Sequence, residues 1–126
     1  MGTIEKFVSL AEAEPNSEQV SVYVLLQAQL ENGQYILVLD DRGWSTNENW
    51  SQATPAAIRE TTLTVVGPDE PAPGATAAQA LHDYWKYIRS LLAAQGMHLS
   101  IEELMALEHE VRFGPRLQRL LTRPGH

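Results

Sequence analysis

Two short acidic runs offer the clearest chemistry in a chain that contains no cysteine. Asp40-Asp41-Arg42-Gly43-Trp44 follows an apolar stretch, and Asp69-Glu70 sits in the proline-bracketed segment Gly67-Pro68-Asp69-Glu70-Pro71-Ala72-Pro73-Gly74. Clustered carboxylates can move protons or hold a cation, and a guanidinium beside an indole can recognise a basic or aromatic group. One Asp-Asp pair falls short of the ligand set of a calcium loop. The plainer account of the first run is a strand exit, with Asp–Arg pairing across the turn and Trp44 at the core edge. For Asp69 and Glu70 it is a solvated turn. A shared acid–base site would require the two runs to meet, and a simple antiparallel sheet sends them to opposite ends.

The remaining reactive side chains add little. His82, His98, His109 and His126 show no spacing of three or four, so no helical metal pair is expected. Each reads as a surface histidine. No Gly-x-Ser-x-Gly elbow, phosphate-cradling glycine loop or dinucleotide fingerprint is present. Arg116, Arg119 and Arg123 recur at helical spacing behind Arg112, where cations suit the last turn of a helix better than they suggest phosphate binding. Trp85 belongs to a helical stripe, but Trp44 and Trp50 lie in a polar segment. Tryptophan and arginine dominate binding hot spots, so Asp40, Asp41, Arg42, Trp44 and Trp50 form the expected contact surface, with Asp69 and Glu70 second. No catalytic residue, metal ligand or cofactor is assigned.

These residues must be positioned by a sheet in the front half and helices behind it. Val20–Leu30 and Gln34–Asp40 flank Asn32-Gly33, which suits a two-residue type I′ hairpin. That register sets Leu30 against Tyr35, Ala28 against Leu37 and Leu26 against Leu39, giving one wholly apolar face and one mixed face. Residues 4–14 carry both helical and extended signals, and Glu14-Pro15-Asn16-Ser17 as a turn favours a strand. Thr54-Pro55 opens a helical turn. Thr61–Val66 alternates and reads as a further strand.

Thr76–Gln79 and Ser100–Glu103 have capping-box form, and Leu99 with Leu104 completes a hydrophobic staple on the second. The expected fold is a single α+β domain over residues 1–126. An antiparallel sheet of three to four strands (about 6–13, 19–30, 34–41 and 61–67) packs on two to three helices (about 77–95, 101–110 and 115–122).

Composition narrows the function classes. With 126 residues and 44% hydrophobic side chains, the chain can build a core without metal or cross-links. The net charge is −7, and residues 1–66 hold nine acids against three bases. An acidic sheet half repels phosphate, which disfavours a general nucleic-acid binder and suits a basic protein partner. No apolar stretch is long enough to span a membrane. Met1–Lys6 has no cationic stretch leading into an apolar run, so no secretory leader is expected, and the absence of cysteine fits the cytoplasm. The reading favoured is a non-catalytic protein-binding module, such as an immunity-like or antitoxin-like inhibitor of a basic partner. The alternatives are a small carboxylate enzyme or ligand binder, using the 40–44 and 69–70 segments, and a homodimeric assembly protein.

Overall fold

Four strands and four helices make up the chain in a computed structural model that describes residues 3–15, 18–68, 71 and 73–122. The strands are β1 (Ile4–Ala13), β2 (Gln19–Leu30), β3 (Tyr35–Asn49) and β4 (Glu108–Phe113). The helices are α1 (Pro55–Val65), α2 (Ala77–Ala93), α3 (Ile101–Met105) and α4 (Pro115–Leu121). The sheet order is β3-β2-β1-β4, with β4 parallel to β1 and the other pairings antiparallel. The α+β class and the strand count expected from the sequence are present.

Alternation along β2 builds the floor of the core. Val20, Val22, Val24, Leu26, Ala28 and Leu30 are all buried, as are Ile4, Phe7, Ala11 and Ala13 beside them on β1. Ile58 and Val66 from the α1 segment, Ile88 and Leu92 from α2, and Leu104 from α3 join the same cluster. So do Leu117 and Leu121 of α4, the helix that closes the end of the sheet where β1 and β4 finish.

The helix starts follow their sequence signals. The hydroxyls of Thr54, Thr76 and Ser100 accept hydrogen bonds from Ala57, Gln79 and Glu103 N–H, and the latter two complete capping boxes. Hydrogen bonds from the Ser100 backbone and hydroxyl hold the Glu103 carboxyl below the ordinary carboxylate range.

Several expectations are corrected. Residues 61–67 are not a strand, because α1 continues through Val65. Ile58, Thr62 and Val66 recur every four residues and all face the core. The threonine hydroxyls turn back onto their own helix, Thr62 Oγ1 donating to Ile58 C=O at 2.7 Å and Thr64 Oγ1 to Glu60 C=O at 3.1 Å. Residues 108–110 are not helix, since α3 stops at Met105 and β4 begins at Glu108. Parallel pairing with β1 satisfies its backbone, so the sheet is mixed rather than wholly antiparallel.

The hairpin uses a longer turn than a type I′ bend. Gly33 N–H donates to Leu30 C=O at 2.9 Å, Leu30 N–H donates to Gln34 C=O at 2.8 Å, and Gly33 has φ +90°. A β-turn followed by a left-handed glycine bulge shifts the register by one. Gln29 therefore pairs with Tyr35, Ala28 with Ile36 and Gln27 with Leu37, and a bulge at Val38 restores Leu26 opposite Leu39. Leu26 and Leu39 are buried as expected, while Leu37 and Tyr35 turn outward.

Candidate functional site

Residues 40–49 form no loop. β3 continues through them to Asn49, and Asp40 and Asp41 together oppose the single residue Leu25, between the pairs Leu26–Leu39 and Val24–Arg42. This is a second bulge in an edge strand, and both acids are exposed on it. Arg42 turns to the core side, where its Nη1 donates to Val65 C=O at 3.4 Å and its Nε lies 3.6 Å from Asp41 Oδ1. A cation at the last carbonyls of α1 is favourable. The Tyr84 hydroxyl donates to Val66 C=O alongside it.

Trp44 packs half-buried against the core, and Trp50 is 6% exposed in the 3-10 turn Trp50–Gln52. Of the five residues expected to make contact, Asp40 and Asp41 are exposed, whereas Arg42, Trp44 and Trp50 work inward. Asp69 and Glu70 lie outside the described residues.

Gly43 explains part of this geometry. A Cβ there would sit 2.7 Å from Val22 C=O, so only glycine lets β3 approach β2 this closely beyond the bulge.

The sheet face turned away from the core carries a more concentrated set of side chains. The register puts Glu108, Lys6, Gln29 and Tyr35 in one row and Glu110, Val8, Gln27 and Leu37 in the next. Arg112, Leu10 and Leu25 follow, and then Glu12 and Tyr23. Tyr23, Tyr35 and Leu37 are 36%, 43% and 44% exposed.

A polar clasp crosses this face from one edge strand to the other. Arg112 on β4 ion-pairs with Glu110 and donates through Nη1 to Tyr35 Oη at 2.6 Å and through Nη2 to Gln29 Oε1 at 3.4 Å. Lys6 Nζ joins Glu110 Oε1 at 3.3 Å, and the Arg112 guanidinium stands 5.9 Å from the Tyr35 ring centre. Hydrogen bonds from Arg112 and then Lys6 hold the Glu110 carboxyl below its ordinary range. Val8 is buried between Gln27 and Glu110.

His109 is not a surface histidine. Its Nε2 lies 2.6 Å from Ser9 Oγ, and its ring meets Phe7 at 6.2 Å between centres. Burial, with Arg59 adding to it, pushes the imidazole below its ordinary value, so the ring is held neutral. Ser9 is 0% exposed, which makes this pair a satisfied buried hydroxyl rather than a nucleophile open to substrate. Among the described residues, no three histidine or carboxylate side chains gather in a way that could hold a metal ion, and no helix is long and apolar enough to cross a membrane.

Compared with protein families, with curated proteins and with solved structures, the chain matches none.

Proposed function

We propose that this chain is a non-catalytic protein-binding module whose contact surface is the open sheet face, with Asp40 and Asp41 at its margin. One observation carries this reading: two tyrosines and a leucine, each more than a third exposed, share the sheet face turned away from the core cluster with a positioned arginine. Tyrosine and arginine anchor interfaces because they combine large contact area with directed hydrogen bonds. The clasp holds Arg112 and Tyr35 in place before binding, which lowers the ordering cost. A net charge of −7, concentrated in the sheet half, suits a basic partner and a cytoplasmic role as an inhibitor or adaptor.

The test compares capture by the native chain with capture by Leu37→Asp and Tyr23→Ala, each first verified as folded by circular dichroism. Loss of a specifically retained protein, or affinity weakened by about tenfold or more, is expected for a central interface residue. Identical retained proteins and affinities for all three chains would exclude this face as the contact surface.

A further inference from the structure

The two edges of the sheet are built differently. β3 is bulged at Val38 and at Asp40–Asp41, displays acids at the second bulge, and has its Leu37 C=O taken by Gln95 Nε2 at 2.9 Å. These features turn away an incoming strand. β4 has no bulge, although it also carries acids, Glu108 and Glu110. Its register against β1 runs without a shift from Glu108 to Phe113.

The direction of its backbone groups follows from one hydrogen bond. Gly114 N–H donates to Ala11 C=O at 2.8 Å, so even-numbered residues of this strand bond to β1. His109, Val111 and Phe113 therefore direct their backbone N–H and C=O groups outward. Gln118 Nε2 occupies one lone pair of Phe113 C=O at 2.7 Å, leaving the other.

The side chains make this edge complementary to itself. With Val111 opposite Val111 in an antiparallel pair, His109 faces Phe113 and Glu110 faces Arg112 of the second copy. The outward residues fall on the hydrogen-bonded positions of that register. Glu110 and Arg112 fall on the other positions, where side chains come closest. A shift of the register by two residues would set Glu110 against Glu110 at the axis while placing Glu108 opposite Arg112 on either side, so the Val111-centred register is the one with no like-charge pair. We infer that β4 pairs antiparallel with β4 of a second copy, about a two-fold axis at Val111, joining the two sheets into one. The arrangement is isologous, as a closed dimer requires. Its hydrogen bonds use the backbone edge, while its charged pairs draw on Glu110 and Arg112 of the clasp, so the capture test at Leu37 and Tyr23 separates the binding role from the dimer.

Charge exchange across the axis tests both the dimer and its register. Sedimentation equilibrium on the native chain should give twice the 14.0 kDa chain mass. Arg112→Glu sets two acids against two acids, and Glu110→Arg sets two bases against two bases. Each variant alone should self-associate about tenfold more weakly or worse, from two reversed cross-strand pairs. An equimolar mixture of the two restores opposite charges at both pairs and should dimerise again as a heterodimer. In the native dimer the Val111 and His109 amides should be protected from hydrogen exchange, and dilution should remove that protection. A native chain that stays monomeric at millimolar concentration overturns the inference. So does a dimer that survives in each single variant, or a folded pair of variants that fails to associate on mixing.

Discussion

Glu12 and Gly114 form a contact whose energetics can be tested by a reversal of effect. The Glu12 carboxylate is almost buried at the end of β1, where it accepts from Leu117 N–H at 2.7 Å, Arg116 N–H at 3.2 Å and its neighbour Ala13 N–H at 2.8 Å. It caps α4, whose own N-cap residue, Gly114, offers no side chain. A Cβ on Gly114 would overlap Glu12 Oε2 and stand 3.2 Å from Glu12 Cβ, although φ −69° and ψ 166° suit any residue. Glu12→Ala removes a charged acceptor from buried donors and should cost about 2–4 kcal/mol. Gly114→Ala in the native background forces the carboxylate aside and should cost about 2 kcal/mol, or about 8 °C in Tm for a chain of this size. In the Glu12→Ala background the carboxylate is gone and only the 3.2 Å approach to the residue-12 Cβ is left, which a shift of a few tenths of an ångström relieves. There the slight loss of a preferred N-cap residue offsets the lower entropy of the unfolded chain, and Gly114→Ala should change stability by less than about 0.5 kcal/mol. Urea unfolding of the four proteins, followed by circular dichroism, yields the coupling directly. Equal costs for Gly114→Ala in both backgrounds would refute the assignment of Glu12 as the cap and of its carboxylate as the reason for glycine.

Two further perturbations probe other parts of the fold. His109 is held neutral in the folded chain, so the unfolded chain binds more protons as pH falls below about 6.5, and stability should drop by up to about 1.4 kcal/mol per pH unit until the folded ring titrates. His109→Gln removes this contribution, and the difference between the two urea-midpoint profiles should flatten above pH 6.5; parallel profiles across the whole range would show that His109 does not titrate differently on folding. Gly43→Ala places a methyl group against Val22 C=O and should destabilise the β2–β3 pairing by about 1–3 kcal/mol, measured by thermal unfolding with amide exchange at Trp44 as the local readout. An unchanged midpoint would mean the strands can separate without cost.

What could be read from the sequence divides by the range of the interactions involved. The β2 alternation, the glycine bend and the three hydroxyl caps are local signals, and all appear in the structure because the same few residues both form and satisfy them. Thr61–Val66 has the composition of a strand, yet Ile58, Thr62 and Val66 continue the helical face begun at Pro55. Threonine is ambiguous here because a helix can absorb its hydroxyl at the carbonyl four residues back. Glu108–Phe113 alternates as plainly as any segment of the chain. Its identity depends on β1, about a hundred residues earlier, supplying the ladder. A parallel partner reached by a crossover of several helices leaves no local trace.

The inward turn of Trp44 and Trp50 was hidden for a related reason. Trp44 and Trp50 stand among polar neighbours, a pattern that suggests display, but β3 continues past Asp41 and directs Trp44 toward the core, while a 3-10 turn folds Trp50 beneath α4. The open face, by contrast, takes its residues from alternate positions on four strands: Lys6 and Leu10, Tyr23 and Gln29, Tyr35 and Leu37, Glu110 and Arg112. Along any one strand these are ordinary outward positions. Arg112 meets Tyr35 only because β4 enters at one edge of the sheet and the hairpin leaves at the other, so the clasp depends on strand order as much as on residue type. A one-residue change in the bend at Gly33 would send Tyr35 and Leu37 into the core and Ile36 out, and the face would lose its aromatic edge. The make-up of this face is therefore determined by the same left-handed glycine that sets the hairpin register.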